Sequence, residues 1–591
     1  MHKPQFHSVD SSPARLAHPL VPWSAPILLI IFSTLASALL LALHDIPFLH
    51  KLFPSGDLVL APYDGTHSIP LRIFILSFYI SFALTVASSI TTRLALMVEL
   101  VGIYTMACVI IDMAAIFSSE TWGVFISLHA IEILSGGIGF MFFSLKLLDI
   151  GTMPEKEPAP YRYHPRRLSW IRLWVAIVLA AWISFSISSL DISLIDDLRA
   201  IALLGGIGPG VFLFLPLLFL ILYIWGTVLS LIHRRKPFFP DLTIIVPAHN
   251  EAHVIGRTLA AIEAAAMNYD GRVEVLVLDN ASSDDTASAA REALLTLPLI
   301  KGRIISVPTP GKAIALNRGV AETHTRYLVR IDADTQILPD TLKNAMCHFS
   351  DPKTGVVGGM PLPPGTGPFD RARLLEILLK HGYYQVAYGA IDGIIGIPGM
   401  FAAYRIEALR LAGGFVQGMN GEDTDASLRI GEMGYRIVGD PNVEYVSEVP
   451  VTYAHMREQR IRWFRSVYHV ASRNRDYLSG RGSSLRGKAV LPFMLLNSSR
   501  RTMTVPLLIF GILNLLLVND PDSPLTHPEV IAVILGAPAL MAAFAALANG
   551  RIDALLGLPE YLIFRIMRSY LTLESMLSIA FDAPIIMKNP G

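Results

Sequence analysis

Two carboxylates, Asp332 and Asp334, are separated by one alanine in the stretch YLVRIDADTQILPD, residues 327–340. Both side chains are anionic near neutral pH, and charges this close repel each other unless a cation lies beside them. The pair follows an apolar, β-branched run of the kind that forms a buried strand. Carboxylate oxygens suit Mg²⁺ or Mn²⁺, which bind to one or two carboxylates together with the phosphates of a substrate. The pattern predicts a divalent-cation site at the end of a strand.

Apolar runs of strand length alternate with helical patterns around this pair. LTIIV (242–246), VEVLVL (273–278) and RYLVRI (326–331) each precede a helical pattern. Such repeated strand–helix units predict a mainly parallel sheet with helices on both faces. Ligands of these sheets bind beyond the carboxyl ends of the strands. The polar residues that follow the three runs are therefore the candidates for a site.

The composition is wrong for a purely soluble protein. The 591 residues are 52% hydrophobic and only 16% charged, which predicts a membrane protein. The formal net charge is zero, so no global basic field indicates nucleic acid as a partner. The two cysteines lie far apart and show neither metal-ligand spacing nor a disulfide framework. Functional sites should therefore use oxygen and nitrogen ligands.

Changes in hydropathy divide the chain into three predicted regions. Residues 1–236 form a transmembrane region of about six helices, 237–480 a soluble domain, and 481–591 interfacial helices with two to four further spans. Basic connections on one side and acidic ones on the other place the soluble domain in the cytoplasm, at a bacterial-type inner (plasma) membrane. The predicted N-terminal spans lie near 25–43, 71–90, 94–117, 123–145, 170–190 and 209–232. Two further spans are expected at 503–518 and 529–548, and the topology of 554–587 stays open.

Six motifs occur in order along the soluble domain. They are VPAHNE (246–251), VLDNASSDDT (277–286), GKAIALNRG (311–319), DAD (332–334), GEDTDASLR (421–429) and QRIRW (459–463). Over residues 240–480 the chain resembles the family 2 inverting glycosyltransferases. It is most similar to membrane-embedded synthases of cellulose, hyaluronan, chitin and poly-N-acetylglucosamine. The resemblance implies a GT-A fold: an α/β, Rossmann-like domain with a mainly parallel sheet, lying between two α-helical transmembrane regions.

The resemblance also implies a role for nine residues. Asp423 would be the general base and Asp334 the ligand of Mg²⁺ or Mn²⁺. The nucleotide-sugar donor would be held by Glu251, Asp279, Lys312 and Asp332. The diphosphate and the acceptor sugar would be held by Gln459, Arg462 and Trp463.

The residues themselves leave alternatives at several of these positions. Asp279 could simply cap the following helix, and Lys312 could be an exposed lysine. Either neighbouring acid, Glu422 or Asp425, could be the base in place of Asp423.

Two flanking features also carry predictions. Arg460 and Arg465, beside the Q-x-x-R-W motif, are predicted to be membrane-surface charges. IPGMFAAYR (397–405) is either the loop that meets the acceptor or a buried strand after a turn.

The implied reaction is inverting transfer of a sugar to a growing β-linked polysaccharide, coupled to movement of the polymer across the membrane. UDP-glucose and UDP-N-acetylglucosamine are the expected donors, and membrane lipids surround the helices. Q-x-x-R-W also occurs in lipid glucosyltransferases of the ceramide type. Transfer of one sugar to a lipid acceptor therefore stays open, and so does an inactive transferase-like scaffold or transport protein.

Overall fold

The structure is a computed structural model, and it describes residues 23–65, 70–148, 153–154, 157, 167–188, 209–232, 236–479, 484–518 and 535–579. An eight-stranded sheet forms the centre of the soluble domain. Its strands are β1 (Leu242–Ala248), β2 (Val273–Asp279), β3 (Lys301–Ser306), β4 (Tyr327–Ile331), β5 (Thr335–Ile337), β6 (Thr354–Leu362), β7 (Phe401–Arg405) and β8 (Arg436–Ser447). The three strand-like runs of the sequence are β1, β2 and β4, as predicted.

The strands lie in the order β3-β2-β1-β4-β7-β6-β8-β5. The half from β3 to β4 is parallel, with Ala248 of β1 opposite Asp279 of β2. Strand β7 is antiparallel to both β4 and β6, and β5 is antiparallel to β8. The sheet is therefore mixed, with its parallel half holding the ends of β1, β2 and β4 side by side.

Alternating side chains of the strands form a core on each face of the sheet. Ile244 packs into one core and its neighbour Ile245 into the other, because successive strand residues point to opposite faces. The domain helices are Ile255–Met267, Thr286–Leu295, Lys312–Glu322, Thr341–Met346, Asp370–Ile377, Gln385–Ala390, Ile406–Leu411, Glu422–Glu432, Tyr453–Arg473 and Arg475–Ser479. The π-helical segment Leu378–Tyr384 joins two of them. Tyr453–Arg473, which carries the Q-x-x-R-W motif, is called the QxxRW helix below.

All six apolar segments before the soluble domain contain helices. They are Ser24–Asp45, Leu71–Thr85, Ile90–Trp122, Leu128–Leu148, Arg167–Ser188 and Pro209–Ile232. Five of these helices are long and apolar enough, within the described residues, to cross a membrane. Leu71–Thr85 has only 15 residues, yet most of its side chains are buried. It therefore lies at the centre of the bundle.

The C-terminal part contains the helices Leu491–Thr502, Thr504–Leu517, Ala537–Ala548 and Leu558–Leu577. The first, with the preceding turn from Arg486, meets the second at a bend of 51° and could form one more span with it. Parts of the predicted spans, at 529–534 and 580–587, lie outside the described residues.

Candidate active site

One continuous cavity of about 1500 Å³ connects the sheet to the apolar helices. Its sheet end lies at the carboxyl ends of β1 and β4, and it continues along the QxxRW helix. Its membrane end is lined by side chains of the long apolar helices, including Phe140, Phe219, Leu507 and Met541. A molecule could therefore contact the sheet-end acids and the membrane helices at the same time.

The two aspartates of the opening motif lie in different electrostatic environments. Lys312 Nζ donates to Asp332 Oδ2 at 2.9 Å, and the buried Arg330 lies 3.4 Å from Asp332 Oδ1. Burial alone would raise the pKa of Asp332, but these two cations outweigh it and lower the pKa below its usual value. Burial and the charge of Asp332 raise the pKa of Asp334, whose carboxylate accepts only a 3.3 Å bond from Thr335 Oγ1 in the described part of the chain. Asp334 is thus the member of the pair without an ion-pair partner among the described residues, although the charge of Lys312 partly opposes the rise in its pKa.

Two further carboxylates increase the negative charge around Asp334. Burial and then Asp334 raise the pKa of Glu448, directly after β8, to about 7. Burial and the charges of Asp334 and Glu448 raise the pKa of Glu251 to about 8. Such shifts arise where carboxylates share a site without a bound cation. No group of three or more side chains is arranged as a ready-made metal cage within the described ranges. One or two carboxylates completed by substrate phosphates is, however, the usual way in which Mg²⁺ is held.

Asp423 is distinguished from the two acids beside it by its partners. Glu422 lies 3.1 Å from Arg330, and Asp425 is fully buried against Arg429 and Arg473. Both are therefore engaged with cations.

Among the described residues, Asp423 accepts hydrogen bonds only from backbone N–H groups, those of Gly399 at 2.5 Å and Thr424 at 2.7 Å. Burial and the neighbouring Glu422 raise the pKa of Asp423. Its carboxylate lines the cavity. Of the three acids, Asp423 is the one without an ion-pair partner among the described residues.

Glycines bring the backbone close to Asp423. Gly421 precedes the helix Glu422–Glu432 with φ +88, and a Cβ there would lie 2.8 Å from Cβ of Ser466 on the QxxRW helix. Gly399, in the turn before β7, has no room for a side chain because the guanidinium of Arg330 lies against it. IPGMFAAYR therefore contains both features left open by the sequence, a turn on the cavity and a buried strand.

The loops after β1 and β2 are held together by side chains other than Asp279. Asp284 accepts hydrogen bonds from the backbone N–H groups of Ala252 and Thr286, and so links the loop after β1 to the start of the helix Thr286–Leu295. Asn280 accepts from Gly311 N–H at 2.9 Å and so positions Lys312. Asp279 Oδ1 is buried and accepts no hydrogen bond from the described residues. Because such an atom is costly to bury, a ligand hydroxyl or N–H fits there.

The Q-x-x-R-W side chains line the middle of the cavity. Gln459 Oε1 and Arg462 Nε are buried without hydrogen-bond partners in the described part of the chain. The ring of Trp463 has Arg460 at 5.0 Å, Arg373 at 5.2 Å and Lys380 at 5.9 Å from its centroid. An indole that lies on cations in this way is held in place by cation–π attraction.

Arg460 and Arg465 contradict the prediction of membrane-surface charges. Their exposed fractions are 7% and 6%, and Arg460 donates to both oxygens of Glu376 at 2.8 and 2.7 Å. Arg465 donates to Ser578 on the C-terminal helical segment. Both point inward because the Leu558–Leu577 helix covers this side of the QxxRW helix. That long-range contact is not visible in the local sequence.

Eight of the nine residues singled out from the sequence line this one cavity. They are Glu251, Lys312, Asp332, Asp334, Asp423, Gln459, Arg462 and Trp463. Asp279 lies beside the cavity rather than in its lining. The roles of all nine remain predictions.

Sequence reasoning missed two other groups of lining residues. Arg330 and Glu448 border the sheet end, and Arg373, Glu376 and Lys380 border the membrane end. Arg330 carried a usable signal, because an arginine inside an apolar strand is rarely unpaired.

Residues 243–411 match the family model described as Glycosyl transferase family 2. Similar proteins include the poly-beta-1,6-N-acetyl-D-glucosamine synthase of Staphylococcus epidermidis, 24% identical over 277 residues that cover 44% of this chain and 66% of that protein. The protein of the same description from Staphylococcus aureus (strain COL) is 26% identical over 240 residues, which cover 39% of this chain and 56% of that protein. The chain thus spans between 56% and 66% of the length of these two relatives.

Two solved structures also align with the chain. A mannosyltransferase from Pyrobaculum calidifontis in complex with GDP-Man and Mn²⁺ has a TM-score of 0.41 and 23% identity, covering 58% of this chain and 99% of that one. TarS 1–349 of Staphylococcus aureus in complex with UDP-GlcNAc has a TM-score of 0.31 and 16% identity, covering 56% and 90%. The predicted resemblance is confirmed over 243–411, where the sheet has the expected GT-A α/β organisation. Asp423 and the Q-x-x-R-W motif lie beyond the matched residues.

Proposed function

We propose, from the match of residues 243–411 to the Glycosyl transferase family 2 model, that the protein is an inverting polysaccharide synthase. It transfers a sugar from a nucleotide-sugar donor to the growing end of a β-linked polymer. The observation that carries the proposal is the single cavity that contains Asp423 and continues between the membrane-length helices. Polymer synthases among the similar proteins support the choice of product.

Asp423 acts as the general base in this proposal. It takes the proton of the acceptor hydroxyl while that oxygen bonds to the anomeric carbon and the bond from this carbon to the donor diphosphate breaks. Two backbone N–H groups orient its carboxylate, and its raised pKa makes it a better proton acceptor than an ordinary aspartate. The nucleoside diphosphate leaves as an anion.

In this proposal, cationic and polar side chains bind the donor diphosphate, the nucleotide and the sugar. Arg462 and Gln459 have buried atoms available for the diphosphate or the acceptor, and Trp463 offers a flat face for a sugar ring. Lys312, already paired with Asp332, lies at the nucleotide side, and Asp279 is available to the base or ribose. Glu251 lies between these groups and Asp334.

Asp334 is the proposed ligand of Mg²⁺ or Mn²⁺, with Glu448 as a candidate for a second carboxylate. The raised pKa values of Asp334 and Glu448, and the absence of an ion-pair partner for Asp334 among the described residues, fit a site for a divalent cation. When bound, such a cation would supply positive charge to a departing diphosphate.

The membrane end of the cavity supports delivery of the polymer into the helical bundle. In this proposal residues 1–236 and 481–591 are the transmembrane regions, and 237–480 is the cytoplasmic domain of an inner-membrane protein. The alternative of one transfer to a lipid acceptor uses the same residues, since a lipid could also enter from the membrane helices. Product size separates the two.

The test uses inverted membrane vesicles that contain the full chain, with Mg²⁺ or Mn²⁺ and a panel of labelled nucleotide sugars. UDP-N-acetylglucosamine is supplied first because of the similar synthases, and UDP-glucose second. A large product that resists organic extraction and disappears in Asp423→Asn supports the polymer synthase. A small, extractable glycolipid supports the lipid alternative.

A matched control is Asp270→Asn, which removes an exposed aspartate in the loop before β2, outside the motifs and the cavity lining. It should leave transfer unchanged. Absence of transfer from every donor in the wild-type protein would contradict the proposed function.

A further inference from the structure

Five basic side chains surround one carboxylate at the membrane end of the cavity. Glu376 accepts from Arg460 at 2.7 and 2.8 Å and from Arg568 at 2.5 Å, and it also contacts Arg373. Lys380 and Arg501 also interact electrostatically with Glu376 and with the neighbouring arginines. We call Arg373, Lys380, Arg460, Arg501 and Arg568 the cationic cluster. One glutamate cannot neutralise five cations.

The cluster retains unused hydrogen-bonding capacity. The Nε atoms of Arg373, Arg460 and Arg568 are buried and have no hydrogen-bond partner among the described residues. Arg373 and Arg460 each have an exposed fraction of 7%. Buried guanidinium groups with unpaired donors are costly unless an anion approaches them.

Lys380 and Arg501 reach into the open space of the cavity. Both side chains are exposed within the cavity, and neither makes an ion pair with a carboxylate of the described residues. Burial and the nearby arginines lower the pKa of Lys380 to about 8, despite the opposing effect of Glu376. An anion in the cavity would stabilise both cations.

The acids of the sheet end do not serve as these partners. The cations that lower the pKa of Asp332 are Lys312 and Arg330, whereas those that lower the pKa of Glu376 are Arg460, Arg373 and Arg568. The two carboxylates therefore have different cationic partners, and Trp463 lies against the cationic cluster. The cluster is available to a ligand other than the donor bound at Asp334.

The position of the cluster indicates the source of such an anion. Arg501 is next to the last residue of the helix Leu491–Thr502, and the apolar helix Thr504–Leu517 begins after a 51° bend. Beyond the arginines the cavity wall becomes apolar, with Leu507, Leu508 and Met541. This change from basic to apolar lining is where lipid headgroups meet acyl chains.

We propose that the cationic cluster binds the phosphate group of a membrane lipid, and that this lipid presents or anchors the acceptor in the cavity. The inference rests on the proposed function, because it names the chemical class of the acceptor for the same site. The phosphate is held by the unpaired donors of the arginines and by Lys380. The acyl chains lie along the apolar wall, and the polar end of the lipid points past Trp463 toward Asp423.

The test uses the full chain reconstituted into phosphatidylcholine vesicles with or without phosphatidylglycerol. After extraction, native mass spectrometry counts the phosphatidylglycerol molecules retained per protein. We expect retention by the wild type and a loss of about tenfold or more in the Lys380→Gln/Arg501→Gln double variant, since two charge-assisted contacts are removed. Arg501→Lys keeps the charge and should retain most of the lipid.

The matched control is Arg371→Gln. Arg371 belongs to the same helix as Arg373, but it is 71% exposed and pairs with Glu560 at the surface. It should retain phosphatidylglycerol as the wild type does. Equal loss in Arg371→Gln and in the double variant would overturn the assignment, because it would reflect general surface charge.

Two further measurements separate the possible outcomes. Inorganic phosphate or pyrophosphate that displaces the retained lipid at low concentration would identify a free-phosphate site and overturn the lipid assignment. Sugar transfer is measured in the same vesicles. Transfer that proceeds equally in both vesicles and in the double variant would overturn the inference while leaving the proposed function intact. Lipid retention without any transfer would contradict the proposed function alone.

Discussion

At the sheet end of the cavity, Asp334 lies among other carboxylates and has no ion-pair partner among the described residues, whereas at the membrane end five basic side chains surround Glu376. Each end therefore has an excess of one sign of charge. Both excesses are costly in a cavity enclosed by protein, because the protein around it screens charge poorly. The comparison shows that each end is suited to a ligand of opposite charge, a divalent cation at the sheet and an anion at the membrane. Asp423 and Trp463 also line this cavity.

The largest expected effect comes from Asp423, the proposed general base. Asp423→Asn removes the proposed base while keeping a side chain of similar size. We expect transfer to fall by about 10² to 10⁴-fold, since a general base typically contributes that much. Initial rates with labelled donor measure the change. Unchanged donor binding in the variant shows that the loss is chemical, and a fall of less than tenfold would exclude Asp423 as the base.

The next prediction removes the carboxylate of the cationic cluster at the membrane end. Glu376→Gln leaves three buried arginines without their shared carboxylate, and we expect a loss of stability of roughly 3 to 5 kcal/mol. Thermal unfolding of the full chain in detergent measures the loss. Added phosphatidylglycerol should restore part of it, because an anion replaces the missing charge. The same addition should not rescue Asp332→Asn, and rescue of both variants would contradict the distinction between the ends.

The two aspartates at the sheet end should respond in opposite directions. Asp332→Asn removes the partner of Lys312 and Arg330 and should destabilise the protein by about 3 kcal/mol. Asp334→Asn removes a half-buried carboxylate that has no ion-pair partner among the described residues and whose pKa is already raised, so stability without metal should stay the same or increase.

The unfolding temperatures of the wild type and of both variants are measured with and without Mn²⁺ and compared. Stabilisation by Mn²⁺ and donor should be weaker in Asp334→Asn than in the wild type. If both substitutions destabilise the metal-free protein to the same extent, the two carboxylates do not differ in electrostatic environment, and the prediction is wrong.

The smallest expected effect is a pH dependence at the membrane end. Because the pKa of Lys380 is lowered to about 8, its positive charge is present below that pH and is lost above it. Retention of phosphatidylglycerol should therefore decrease several-fold as pH rises from about 7 to about 9. Lys380→Arg should remove most of this dependence, since the guanidinium stays charged. A wild-type profile that is flat across this range would show that Lys380 does not contribute.

The motifs of the soluble domain predicted most of the sheet end. Three strands were predicted from their apolar runs, and eight of the nine proposed site residues line one cavity. A strand end or a short motif is formed by residues adjacent in the chain, so its pattern can be recognised in the sequence. The strand β7 was one of two alternatives for IPGMFAAYR, but its antiparallel pairing in the middle of the sheet was not predicted, because pairing between distant segments has no local signature.

The amino-acid sequence by itself determined the apolar helices, the order of the motifs and the residues offered at the ends of β1, β2 and β4. Tertiary structure decided which charges meet. It paired Asp332 with Lys312, left Asp334 without an ion pair among the described residues, and paired the buried Arg460 with Glu376. The physical reason is that a charge is compensated by whatever lies within a few ångströms, and those neighbours come from segments far apart along the chain.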